Sequence, residues 1–367
     1  MMLGRLRGSL TAVAVAFGAA GVFACSDRSE VTAPTDGPEF AGGGAQGPDL
    51  RAALAAKARY TDQLLKQQGV AGTAVGLGRA GNAVVKVYLV RPGAASVAKS
   101  LDGVPVETEV TGEFRAILPS AQPGPSEGIN PKLRFDRPVP IGVSAGNFND
   151  LLYLKAFCTT GTLGARLKGA NGNYYGLSNN HVFAVENLAQ NGDPIIQPGQ
   201  ADQRCRAPAT DQIGTLAGFV PLVFGRGTNL VDAAAALVTT ATVDNQTPSN
   251  GYGRPSSRTV EATLNMGVQK YGRTTVLTQG TVTGVDAAVK VLYSRGLATF
   301  LHQVIITGTG GSFSNSGDSG ALIVTDNRRA NPVALLFAGS GTRTIGNPIN
   351  AVLSELGNQL GTTLTLE

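Results

Sequence analysis

From residue 160 to residue 337 the chain is written in short runs rich in valine, isoleucine and threonine, and glycine, asparagine or proline cuts off each one. Runs this short match strands better than packed helices. Residues 160–166 and 173–177 read as an early hairpin, followed by strands at 214–220 and 230–238. A second group lies at 268–285, 289–293, 303–306, 321–324 and 332–337, and 350–360 reads as a helix packed on the outside. The 49 glycines and the charged fraction of 15% suit a mainly β protein with many tight turns.

At 367 residues the chain has room for two folded units. The first spans 49–118. Leu50, Leu54, Ala58, Thr61, Leu64 and Leu65 share one helical face, and Gly69 ends that helix. Strands follow at 72–77 and 83–90, then a short helical piece at 94–100 and a strand at 104–118, an α-β-β-α-β order. The unit contains no histidine and no cysteine, so it is assigned no chemistry. The proline-rich stretch 119–134 reads as a linker, and 135–367 as the unit that carries the chemistry.

The start of the chain reads as an address. Arg5 and Arg7 precede an apolar run over 10–23 that is too short to span a membrane, the pattern of a secretory signal peptide. The run ends in Val22-Phe-Ala-Cys25, similar to a bacterial lipobox, so Cys25 is the expected lipidation site of a signal segment 1–25. Residues 26–48 then read as a flexible tether. With Ser26 next to Cys25, an outer-membrane or periplasmic anchor is expected. Lipidation of Cys25 leaves Cys158 and Cys205 of the three cysteines; a disulfide between them is expected, two reduced buried thiols being the alternative. Although the net charge is +5, the basic residues are dispersed and form no arginine–aromatic platform, which argues against nucleic acid as a partner.

Chemistry concentrates near the end, in Gly317-Asp318-Ser319-Gly320. Glycines on both sides let the backbone turn tightly, so the amides of Gly317 and Ser319 can point at one developing oxyanion, with Ser319 as nucleophile. A base is needed, and the sequence offers two histidines. His181 ends a strand-like run in small polar residues, whereas His302 sits inside a strand pattern that suits a structural role. Asp232 interrupts an apolar run and would be costly to bury unpaired, so it is the candidate partner of His181; a solvated turn residue is the alternative. Asp193 and Asp211 read as turn residues. Two separated histidines and no acid-rich cluster imply no metal, and no cofactor is implied.

The order His181, Asp232, Ser319 resembles the chymotrypsin-like serine proteases over about residues 140–355. Val268-Gln-Lys-Tyr-Gly-Arg-Thr-Thr275 with Gln279-Gly-Thr-Val282 resembles the opening of the second barrel in bacterial secreted members. The phrases Leu177-Ser-Asn-Asn-His-Val182, Gln197-Pro-Gly199, Asp232-Ala-Ala and Leu335-Leu-Phe-Ala-Gly339 resemble bacterial relatives of the plant narrow-leaf trypsin-like proteases. The resemblance implies a two-β-barrel protease domain behind a small N-terminal α/β domain, acting on peptides or proteins. It also implies a cation beside Asp318, with Lys270 the first candidate and Arg273 the second, and a substrate edge near 338–341. Asn179-Asn180-His181-Val182 departs from the family in lacking a cysteine beside the histidine, and Phe313 stands where trypsin-like pockets carry an aspartate. Secreted bacterial members often carry N-terminal pro-domains, which the resemblance offers as a role for 49–118. A binding or scaffold module that no longer turns over is the competing class.

Overall fold

The apolar runs curl into two sheets in a computed structural model that describes residues 48–116, 128–155 and 157–367. The signal segment with Cys25, all of the tether except Pro48, and 117–127 of the strand end and linker lie outside the described residues.

The N-terminal stretch comprises helix α1 (Pro48–Lys66) and strands β1 (Val70–Leu77), β2 (Ala83–Leu89), β3 (Ser100–Leu101), β4 (Val104–Val110) and β5 (Phe114–Arg115). Of the expected inner face of α1, Thr61 and Leu64 are buried and Leu50, Leu54 and Leu65 pack on the core, while Ala58 is exposed. Ala53 and Lys57 are buried beside them, the Lys57 ammonium held by Asp286 at 3.0 Å. No helix forms at 94–100, contrary to expectation. Pro92-Gly93 starts a turn there, and Ala95 and Val97 pack on the core one by one instead of along a helical face.

The histidine-bearing half contains β6 (Ser144–Asn147), α2 (Asp150–Leu154), β7 (Gly161–Thr162), β8 (Ala165–Gly169), β9 (Tyr174–Ser178), β10 (Pro194–Ile196), β11 (Gln212–Phe219), β12 (Thr228–Asn229) and β13 (Ala234–Val238). With the C-terminal β20 (Leu364–Leu366), seven of these strands form the sheet β20-β8-β9-β13-β11-β10-β6-β7. The sheet curls almost into a barrel, because Leu163 N bonds Val143 O while Gly164 N bonds Leu177 O. Ile141, Leu163, Phe183, Ile195 and Leu216 fill it. Cys158 and Cys205 form a disulfide, with Cα atoms 5.7 Å apart.

The serine-bearing half contains β14 (Gly267–Gly272), β15 (Val276–Tyr293), β16 (Gly296–Gly308), β17 (Leu322–Thr325), β18 (Pro332–Gly339), β19 (Thr344–Pro348) and helix α3 (Ile349–Leu360). Its strands pair in the closed ring β14-β15-β16-β19-β18-β17, and β17 returns to β14. The run expected at 268–285 is broken by a turn at 273–275 into β14 and β15, which pair antiparallel, while 289–293 continues β15, which passes through bulges near Asp286 instead of turning. The fold is mainly β and chymotrypsin-like, with two curled sheets and few helices.

The N-terminal strands share the second sheet. β1 pairs antiparallel with the outer edge of β15, Gly72 opposite Val289 and Val75 opposite Val285. One core cluster runs from Leu64 on α1 through Val75 and Val85 to Val268, Ile306 and Leu336 inside the second ring.

Candidate active site

His181 is delivered by a buried π-helical turn over Asn180–Ala184, directly after β9. Asparagines brace this turn. Asn180 Nδ2 donates to Val220 O at 2.8 Å and to Asn187 Oδ1 at 2.7 Å, and Asn147 Nδ2 donates to Phe183 O at 2.8 Å. Asn179 Nδ2 reaches the Asp232 carbonyl at 2.7 Å, so the histidine turn and the aspartate loop are tied together.

Asp232 is fully buried, not a solvated turn residue. Its Oδ2 lies 2.6 Å from His181 Nδ1, and its Oδ1 accepts the His181 backbone N–H at 3.2 Å. Facing an ionised carboxylate, which can only accept, Nδ1 is the nitrogen that carries a proton, and in the neutral imidazole Nε2 keeps its lone pair. Among the described residues that Nε2 meets no hydrogen-bond partner, although it is buried. Two further buried bonds hold the aspartate: Tyr293 Oη donates to Asp232 Oδ2 at 2.8 Å, and Asn347 Oδ1 accepts Asp232 N at 3.0 Å.

Ser319 sits in the loop before β17, where Gly317 and Gly320 adopt φ of +93° and +94°. Glycine is the residue that reaches this region without strain. A Cβ on Gly317 would also meet the Arg273 guanidinium at 2.4 Å, and one on Gly320 would meet Thr162 O at 2.3 Å. Among the described residues neither the Gly317 nor the Ser319 N–H is given to an acceptor. Ser319 Oγ makes a long 3.5 Å contact with Phe337 O rather than a bond to His181. Serine and histidine segments converge through Thr162: its N–H donates to Ser319 O at 2.8 Å, its Oγ1 to Gly317 O at 2.9 Å, and its carbonyl accepts Ser178 Oγ at 2.8 Å.

Asp318 points into the second barrel and is fully buried. It accepts Thr274 N at 2.8 Å, Thr275 N at 3.1 Å, Thr275 Oγ1 at 2.7 Å and Asn315 N at 2.9 Å. The Lys270 ammonium stands 3.8 Å away. Burial pulls Lys270 down to about 8, and the charge of Asp318 only partly opposes that. Arg273, the second candidate, instead pairs with Asp202, which itself accepts Ser144 Oγ at 2.6 Å and so links the two barrels.

The remaining candidates fall elsewhere. His302 lies in β16 with its side chain 46% exposed and its Nδ1 on Asp286. Asp193 closes a turn, its N–H on Gln190 O at 3.0 Å, and its carboxylate also gathers Asn149, Tyr153 and Gln190 N. Asp211 is buried against Arg134. Phe313 is buried over the Lys270 ammonium, which lies 5.8 Å from its ring centre. Tyr293, Thr162, Asn347 and Thr275 were not singled out in the sequence, where each sits in an ordinary strand or turn pattern. Among the described residues no group of His, Cys, Asp and Glu could hold a metal ion.

No protein-family model and no curated protein matches the sequence. The chain is similar to many solved structures, each a likeness of fold alone, and three of them illustrate it. Thermobifida fusca Protease A is 19% identical over 57% of this chain and 92% of that one, with a TM-score of 0.39. A glutamic acid specific serine protease is 20% identical over 62% of this chain and all of that one, with a TM-score of 0.40. Cellulomonas bogoriensis chymotrypsin is 18% identical over 56% and 90%, with a TM-score of 0.36.

Proposed function

We propose that the chain is an exported serine endopeptidase, and the observation that carries this is the buried His181–Asp232 pair opposite a glycine-flanked Ser319 loop. In this reading Ser319 Oγ turns from Phe337 O toward His181 Nε2, gives up its proton there, and attacks the scissile carbonyl. The amides of Gly317 and Ser319 receive the oxyanion, and the imidazolium, steadied by Asp232, returns the proton to the leaving amine. Water then repeats the sequence on the acyl-enzyme. Active sites without substrate often have a loose nucleophile–base contact, so a Ser319 Oγ resting on Phe337 O instead of on His181 fits this reading. The phrases shared with bacterial relatives of the narrow-leaf proteases support the same reading.

The test is a fluorophosphonate probe that reacts with an activated serine. Labelling of the wild type, lost in Ser319→Ala and His181→Ala but kept in His302→Ala, is expected. Hydrolysis should fall by about 10⁶-fold in the first two variants. A wild type that stays unlabelled would make the chain a binding module on a protease fold.

The N-terminal segment bears on access to this site. β5 pairs antiparallel with the end of β18, Arg115 opposite Gly339, on the stretch 338–341 where the resemblance sets the substrate edge. A substrate strand would compete for that edge, so 49–118 acts in this reading as an inhibitory pro-segment. Anchoring through Cys25 is part of the proposal: alkyne fatty-acid labelling should mark the wild type and not Cys25→Ser, and an unmarked wild type overturns it.

A further inference from the structure

The β15–β16 hairpin reaches the histidine turn, and what it carries there is a phenol. Tyr293 closes β15, its Oη 2.8 Å from the same Asp232 Oδ2 that His181 Nδ1 approaches at 2.6 Å. We propose that Tyr293 is a positioning residue for the His181–Asp232 pair, and that the hairpin is clasped to the histidine segment in order to hold it there. This rests on reading His181, Asp232 and Ser319 as a working triad.

The placement of the ring is over-determined. Tyr293 is stacked on Phe300 with centroids 6.1 Å apart, and meets Phe224 and His181 edge-on at 5.7 and 5.9 Å. At the hairpin tip, Ser294 N, Ser294 Oγ and Arg295 N all donate to the Glu186 carboxylate at 3.1, 2.8 and 3.0 Å. The Arg295 guanidinium returns to the Glu186 carbonyl at 2.6 Å. Glu186 follows the π-helical turn that carries His181, so the tip of one barrel is bonded to the base-bearing segment of the other.

The chemistry follows from a donor aimed at a buried anion. Burial first, and then the charges of Asp232 and Glu186, keep the phenol proton in place well above the ordinary tyrosine range. Tyr293 therefore donates throughout the working pH range. A donor to an ionised acceptor makes a strong and directional bond. With Oδ2 held by the phenol and Oδ1 by the His181 amide, the carboxylate cannot rotate, and the imidazole plane follows it. The charged and titratable groups around the phenol are Asp232 and His181 from the first barrel, Glu186 after the histidine turn, and Arg295 from its own hairpin.

Tyr293→Phe in the full chain removes the hydroxyl and keeps the ring. With p-nitrophenyl acetate, kcat is expected to fall about tenfold with KM within about twofold, and the acid limb of the kcat/KM profile to move to higher pH. In a His302→Ala background His181 is the remaining histidine, so its downfield Nδ1 proton is assigned by elimination. That signal should exchange faster with water in Tyr293→Phe. Glu186→Gln, which loosens the clasp without touching the triad, should give a smaller loss in kcat with the same KM, and it decides the matter if Tyr293→Phe fails to fold. Unchanged kcat, pH profile and proton exchange, with a lower Tm alone, would reduce Tyr293 to packing and overturn the proposal. If the wild type turns over no ester and takes no fluorophosphonate, the hydrolase reading fails, and the exchange rate of the Nδ1 proton still decides whether Tyr293 holds His181.

Discussion

Asp318 is a carboxylate with no access to water, and what it meets decides whether the Ser319 loop keeps its shape. Four N–H and O–H donors converge on it, with the Lys270 ammonium behind them at 3.8 Å. Lys270 holds its proton up to about pH 8. Above that the donors remain and the counter-charge goes, which is costly for a buried anion. Activity should therefore show an alkaline limb with a midpoint near 8. Lys270→Met should be slow at every pH and lack that limb, and a kcat/KM profile checks both. The effect on stability has the other sign. A lysine whose folded pKa lies below its unfolded one costs stability while charged, so this group's contribution improves as pH rises from about 8 toward 10.5. Acid-side behaviour of the active site is set instead by the hydrogen bonds around Asp232.

Among the elements, the two long strands carry more than barrel closure. β15 closes the second ring, offers its outer edge to β1, and ends in the tyrosine at Asp232. Its bulges near Asp286 let one strand serve all three, since each extra residue re-aims the side chains beyond it. The segment between β6 and β7 is held differently, by the Cys158–Cys205 disulfide across a sequence separation of 47. On the chain-entropy account a loop of that size contributes about 4 kcal/mol through the unfolded state. Cys158→Ser with Cys205→Ser should lower the urea midpoint and raise the m-value, because the unfolded chain without the cross-link exposes more surface, whereas an unchanged midpoint would mean that hydrogen bonds around Asp150 and Thr159 already hold the loop.

At the scale of the molecule, the N-terminal region is both a sheet neighbour and an occupant of the proposed substrate edge. α1, β1 and β2 share a core with the second ring, while β5 lies between β15 and β18. A chain beginning at residue 128 would leave the β15 edge unpaired and Val85-facing surface of the core open, the features that promote edge-to-edge association. Its soluble yield should drop sharply. The fraction that stays soluble should label faster with fluorophosphonate than the full mature chain, because Arg115 no longer opposes Gly339. Equal yield and equal labelling would make the region a passive attachment.

The strand content, the outer helix at the C-terminus and the glycine-flanked serine were legible because each depends on local pattern: run length, helical period, and a turn that glycine alone takes without strain. The sequence separates His181 from His302 on pattern, since only one ends a strand in small polar residues, and in the fold His181 meets buried Asp232 while half-exposed His302 meets Asp286. The helix expected at 94–100 failed on a Pro-Gly turn, and within the α1 face it is Ala58 that stays outside while Lys57 is buried against Asp286, a residue more than two hundred positions away. Tertiary structure alone decided which donors reach Asp232, that asparagines brace the turn carrying His181, and that β5 lies on β18. These contacts join segments far apart in the chain, and a side chain in an ordinary strand or turn carries no local mark of the distant group it will meet.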